Sequence, residues 1–289
     1  MNNRSADIKR IVIYLLLSFS LAWIPWIIMN SRYDFFEWFT GEKQYPFLWL
    51  MLLSGGAPAI ATFLTRLMTK EGIADDLLRL KLKGHLKYYV LAVLLPVAVG
   101  LLRCILIQQM HLGEKAELSG LQTASILMQA ITMPLPAAFN TFGEEYGWRG
   151  YLYPKLESVG NRPLAIIAGG IIWGLWHAPL TVKGHNFGTD YPGFPYVGIL
   201  LMCSFCVVLG IFFHWLTQKT GSVYPASIAH SVTNNGAAML LLLVVNADDA
   251  IQKVPFSATL LLFAPTLLYL LFLPFLMKKK VRLSGKEPA

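Results

Sequence analysis

With 289 residues, of which 55% are hydrophobic and only 14% charged, the chain lacks the roughly one-quarter charged residues of a soluble globular surface. Its net charge of +8 points to anionic lipid headgroups rather than to nucleic acid. Three cysteines, Cys104, Cys203 and Cys206, form no even disulfide framework; Cys203 and Cys206 make a C-x-x-C without a second pair and read as small buried hydrophobes.

In chain order, Lys9 and Arg10 precede a first apolar run, 11–29. It is too long for the hydrophobic region of a signal peptide and no small-x-small cleavage site follows, so an uncleaved first helix is expected. A loop at 30–46 offers Trp38 and Tyr45 as headgroup anchors. After the apolar window 47–65, the polar stretch 66–87 mixes Leu77, Leu78, Leu80 and Leu82 with basic residues, the pattern of a helix lying on the interface. A weaker window, 88–112, is interrupted by Arg103; window 121–142 is uncharged. Windows 163–182, 191–218 and 220–245 carry no charge beyond their histidines, with Tyr191 and Tyr196 as further anchors, and 254–277 closes the series before a basic tail.

Each window can cross about 30 Å of hydrocarbon as a helix, giving about eight spans. The expected fold is therefore all-α: a polytopic membrane helix bundle, one integral membrane domain over 1–289, with no alternation of a barrel strand. With the N-terminus inside, eighteen Lys and Arg fall in inner segments and five in outer ones. That bias places both termini in the cytoplasm, in the cell membrane if the source is bacterial.

Ionisable side chains within or beside spans mark function by default. The stretch NTFGEEYGWRGYLYPKL, 140–156, holds Glu144, Glu145 and Arg149. On a helix Glu145 and Arg149 are i, i+4 partners in the favourable order, which leaves Glu144 about 100° away. His177 follows Trp173 by four residues in WGLWHAP, and His230 precedes Asn234 by four in SIAHSVTNN. Arg103 and His214 stand isolated near span ends and read as snorkelling or packing residues. An interfacial salt bridge would account for Glu145 and Arg149 alone, and interhelical hydrogen bonding for His230 and Asn234. An acid and two histidines on three spans are, together, the raw material of a hydrolytic site. Either Glu144, His177 and His230 hold a catalytic zinc, or Glu144 is a general base helped by His177 while His230 and Asn234 donate to an oxyanion. The soluble H-E-x-x-H pattern, G-x-S-x-G, Walker A and G-x-G-x-x-G are all absent.

EEYGWR, WGLWH and HSVTN, in this order, resemble the motifs of the CPBP family of intramembrane proteases. That family includes the type II CAAX prenyl endopeptidases and the bacterial Abi proteins linked to bacteriocin immunity. Gly150 and Leu152 fit the R-G-x-L continuation of the first motif, and the resemblance covers about 120–245, the expected catalytic core. It implies that Glu144 is the catalytic acid or base and His177 its partner on water. His230 and Asn234 would stabilise the oxyanion, with Glu145, Arg149 and Trp173 supporting the site. The second motif of the family often begins with Phe, where this chain has Trp173. The preferred reading uses no cofactor; zinc is the alternative. Membrane lipid and a membrane-associated protein or peptide, prenylated in the eukaryotic branch, are the partners implied, with a cleft open to the cytoplasm. The rivals are a non-enzymatic immunity or partner-binding protein of the same fold, and a transporter with a proton relay, for which inverted repeats are not evident.

Straight helices put these residues at different depths. His177 falls ~20 Å into its span, His230 ~10 Å into its own, and Glu144 near the end of a helix begun at 121. Pro134 and Pro136 are the expected break that would hold Glu144 deeper.

Overall fold

The computed structural model describes residues 3–32, 48–72, 76–245 and 256–277. Trp38, Tyr45 and the basic tail after 277 lie outside the described residues.

The bundle is all-α. A long helix α1 (Asn3–Arg32) packs on α2 (Leu48–Met68), and α3 (Leu86–Gln109) follows. Next come α4 (Gly120–Thr132) and α5 (Pro134–Glu145), a π-helical stretch Tyr146–Leu152, and α6 (Tyr153–Val159). Helix α7 (Arg162–Trp176) and the short α8 (Ala178–Thr181) lead to α9 (Tyr196–Thr220), then α10 (Tyr224–Ser231), a second π-helical stretch Val232–Gly236, and α11 (Ala237–Leu241). The last span consists of α12 (Phe256–Phe263), a 3₁₀ stretch Ala264–Phe272 and α13 (Leu273–Met277). Two residue pairs, Glu114 with Val245 and Lys115 with Val244, form a minimal antiparallel ladder.

Four helices among the described residues are long and apolar enough to cross a membrane: Arg4–Ser31, Leu86–Gln109, Tyr196–Thr220 and Leu260–Met277. Of the remaining expected windows, 47–65 holds the 21-residue α2 and the others hold shorter or interrupted helices. Large apolar side chains point outward, Leu121 at 86% and Phe139 at 82% exposure, as they would toward hydrocarbon. The protein is an integral membrane helix bundle.

Local chemistry sets the helix ends. Ser119 and Gln122 form a reciprocal capping box at the start of α4. Asn161 Oδ1 accepts the Leu164 N–H at the start of α7, with Pro163 in its first turn. Gly221, at φ 61°, closes α9 in the left-handed conformation that glycine adopts without a Cβ penalty.

Packing between helices rests on small residues. A Cβ on Gly170 would lie 2.5 Å from Val207 Cα and one on Gly174 2.4 Å from Cys203 Cα, so the backbones of α7 and α9 nearly touch. A Cβ on Gly147 would lie 2.3 Å from Pro58 Cβ, which draws the first π stretch against α2. Ser231 Oγ donates to the Pro134 carbonyl at 2.7 Å and Thr141 Oγ1 to the Ser227 carbonyl at 2.8 Å, tying α10 to α5.

Two expectations change. The stretch 66–87 is not a surface helix: between the end of α2 at Met68 and the start of α3 at Leu86, its described residues hold only the 3₁₀ turn Asp76–Leu78. Gly72 and Gly84 take φ of 83° and 77°, which interrupt any helix, and Leu77 O accepts the Val223 N–H, so the segment docks on the bundle. Tyr191 is buried rather than an interfacial anchor, while Tyr196 is exposed.

Candidate functional site

Glu144 and Glu145 end α5, and the chain continues helically through the π stretch into α6 rather than ending at 142. Backbone angles at the junctions stay helical: Tyr146 at φ −64°, ψ −43° and Tyr153 at φ −59°, ψ −47°. The three charges of GEEYGWRG therefore lie inside a rod, not in a gap between spans. All seven residues of Tyr146–Leu152 are buried.

Charge pairing within the rod makes this affordable in a low dielectric. Glu145 Oε1 accepts Arg149 Nη1 at 2.9 Å, and both side chains have zero exposure. The same oxygen lies 2.9 Å from His230 Nδ1. With Glu145 ionised opposite Arg149, it can only accept, so His230 Nδ1 carries the hydrogen and its Nε2 is left for other work. The Arg149 guanidinium lies 4.1 Å from the Trp173 ring centroid, 5.2 Å from Tyr153 and 5.3 Å from Phe213. That is an aromatic enclosure in which cation–π attraction replaces part of the lost hydration. Glu145 is thus more than a brace for Arg149; it also fixes the tautomer of a histidine from another helix.

Glu144 is half-buried and points elsewhere. Its Oε2 accepts the Trp173 indole N–H at 2.9 Å. His177 caps the end of α7, where its Nδ1 lies 2.9 Å from the Trp173 carbonyl. A carbonyl only accepts, so Nδ1 bears the hydrogen and the Nε2 lone pair is left over. The Trp173 ring meets His230 edge-on at 5.2 Å and His177 at 5.9 Å. Glu144, Trp173, His177 and His230 come together in this way, and the break expected at Pro134 is present, with α4 ending at Thr132 and α5 starting at Pro134.

Asn234 is not drawn into this set. It is exposed on the second π stretch and hydrogen-bonds none of the other three among the described residues. Ser231, Thr141 and His230, not Asn234, supply the side-chain hydrogen bonds between α10 and α5. His214 is not isolated either: buried, with Nε2 3.0 Å from Glu157 Oε1, it shares that carboxylate with Arg162. Arg103 packs over the Phe263 ring at 4.9 Å. The cysteines are free, and among the described residues no three His, Cys, Asp or Glu side chains group as metal ligands, Glu144, His177 and His230 included.

One neighbour escapes sequence reading altogether. The His185 ring lies parallel to that of His177, 5.9 Å away at 3°. A turn after α8, with its N–H on the Leu180 carbonyl, brings it there. Nothing in the loop's composition distinguishes this histidine from an ordinary exposed one.

Residues 126–236, which contain all three motifs, match the family model described as type II CAAX prenyl endopeptidase Rce1-like. The CAAX prenyl protease 2 of Methanococcus maripaludis is 26% identical over 220 residues, a match that covers 70% of this chain and 79% of that protein.

Proposed function

We propose, on the footing of the CPBP/CAAX protease family that both comparisons support, that this chain is an intramembrane endopeptidase in which Glu144 activates water. Glu144 takes a proton from the water as its oxygen attacks the scissile carbonyl carbon. The carboxyl then returns the proton to the departing amine nitrogen as the C–N bond breaks. His177, with its Nδ1 committed to the Trp173 carbonyl, offers Nε2 as an acceptor to the same water. His230, with Nδ1 on Glu145, serves the oxyanion from Nε2 when protonated, and the Glu145 carboxylate balances the imidazolium so formed. Asn234 is the further oxyanion donor on this reading, reaching the carbonyl from the exposed face of its helix once substrate fills the cleft.

The observation that carries the reading is the division of labour between adjacent carboxylates. Glu145 shares one oxygen between Arg149 and His230 and keeps the other buried without a hydrogen-bond partner among the described residues, whereas Glu144, only half-buried, keeps an oxygen beyond the single Trp173 bond. The substrate is the C-terminal or juxtamembrane part of a membrane-associated protein, a prenylated CAAX peptide in the first instance. Both termini face the cytoplasm, and the cleft opens on that side.

Cleavage of a membrane-anchored prenylated CAAX reporter in proteoliposomes tests this. Glu144→Ala and His177→Ala should each lower kcat by about 10²–10⁴-fold. Variants that cut as well as wild type would remove Glu144 and His177 from the chemistry, and a wild type that cuts nothing would leave a partner-binding protein of the same fold.

A further inference from the structure

The ring of Trp173 carries a donor, the indole N–H, that a phenyl ring in its place would lack. Here the extra indole nitrogen is in use: its N–H meets Glu144 Oε2 at 2.9 Å. The carbonyl of the same residue holds His177 Nδ1, also at 2.9 Å. Two residues 33 positions apart, proposed to share one water, are therefore oriented by two atoms of one residue. The ring itself is clamped. It is 1% exposed, lies under the Arg149 guanidinium and meets the edge of His230. Its backbone is pinned from the other side, because Gly174, the next residue, packs directly on the α9 backbone.

We propose that Trp173 is a positioning residue whose indole N–H fixes the rotamer of the Glu144 carboxylate and keeps it in register with His177. This rests on Glu144 being the base. A carboxylate on a helix surface has two freely varying outer torsions, and one charge-assisted hydrogen bond from a buried ring removes most of that freedom. The donor takes one lone pair of Oε2 and leaves Oε1 for water. Because His177 is held through the backbone carbonyl, replacement of the indole by phenyl deletes the bond to Glu144 while leaving that to His177 intact.

Trp173→Phe is the informative variant, since the phenyl ring retains the packing on Arg149, Phe213 and His230. On the prenylated CAAX reporter in proteoliposomes, kcat should fall roughly tenfold to a hundredfold with KM within about twofold, the signature of lost orientation rather than lost binding. A second readout needs no substrate. In indole-¹⁵N-labelled protein the Trp173 N–H resonance, identified by its disappearance in Trp173→Phe, should shift in Glu144→Gln and stay in place in His214→Gln. Wild-type kcat in Trp173→Phe, or an indole resonance indifferent to Glu144→Gln, would overturn the proposal. If Glu144→Ala instead cleaves normally while the resonance still responds to Glu144→Gln, the hydrogen bond stands and the assignment of Glu144 as the base falls.

Discussion

Two ion clusters grip the helical stretch 145–158, and they are built on different terms. At its start, Glu145, Arg149 and His230 meet through a single carboxylate oxygen, with exposures of 0%, 0% and 4%. At its end, Lys155 bonds both Asp7 and Glu71, Arg10 reaches both of those carboxylates, Tyr151 donates to Glu71 and Ser158 to Asp7. This second cluster joins α1, the chain after α2 and α6, and its charged members are 13–22% exposed. The inner cluster has no water to fall back on and no spare partner for its charges. The outer one has both. Equal distances thus conceal unequal consequences: the inner cluster specifies one arrangement, while the outer one tolerates the loss of a member.

The comparison predicts its largest effect at Arg149. Arg149→Met leaves Glu145 ionised with only His230 to neutralise it, and should cost about 3–5 kcal/mol in unfolding from mixed micelles. The double variant with Glu145→Gln should recover part of that stability, because the stranded charge is gone, without recovering cleavage. If the single and double variants are equally unstable, the buried pair matters through shape rather than charge.

Next come the two features that lie between the extremes. His214→Phe removes a buried donor to Glu157, which retains Arg162, and about 1.5–3 kcal/mol should be lost. Gly147→Ala forces a methyl against Pro58, whose backbone cannot yield as a side chain would. A loss of about 1–3 kcal/mol is expected, read as a lower melting temperature with reduced activity as the rod moves off α2. At the small end, Glu71→Gln should cost only about 0.2–1 kcal/mol and leave cleavage near wild type. Raising salt should shrink the difference further, as it does for exposed pairs. A loss there as large as that at Arg149 would dissolve the contrast between the clusters.

Much of this was readable from residue order. The apolar windows locate the helices because hydrocarbon imposes its thickness on composition, and the i, i+4 spacing of Glu145 and Arg149 anticipates a bond that forms at 2.9 Å. The failures share a cause. Charge normally ends a span, and the uncharged window stops at 142, yet Glu145 and Arg149 neutralise each other inside the helix and it runs on. His214 looked solitary because its partner Glu157 lies 57 residues away on another helix. His185 reaches His177 through a turn whose glycine and asparagine angles carry no apolar periodicity. The role of Glu145 as partner to His230 was invisible for the same reason: it is a tertiary contact across 85 residues.

Both motifs with an acid or an amide at their ends run directly into a π-helical stretch, at 146–152 and 232–236. In a π stretch each N–H reaches one residue further back than in an α-helix, so the rod carries a local surplus of chain around its axis. Everything downstream is set at a rotational phase fixed by that surplus. One residue removed from 146–152 would turn Tyr153 and all of α6 by about 100° relative to Glu145, swinging Lys155 away from Asp7 and Tyr153 away from Arg149. A loop such as 183–195 has no such phase to keep beyond the turn that carries His185. The molecule can therefore absorb changes of length between its motifs, but inside them it keeps time like a gear train, in which a missing tooth displaces every wheel that follows.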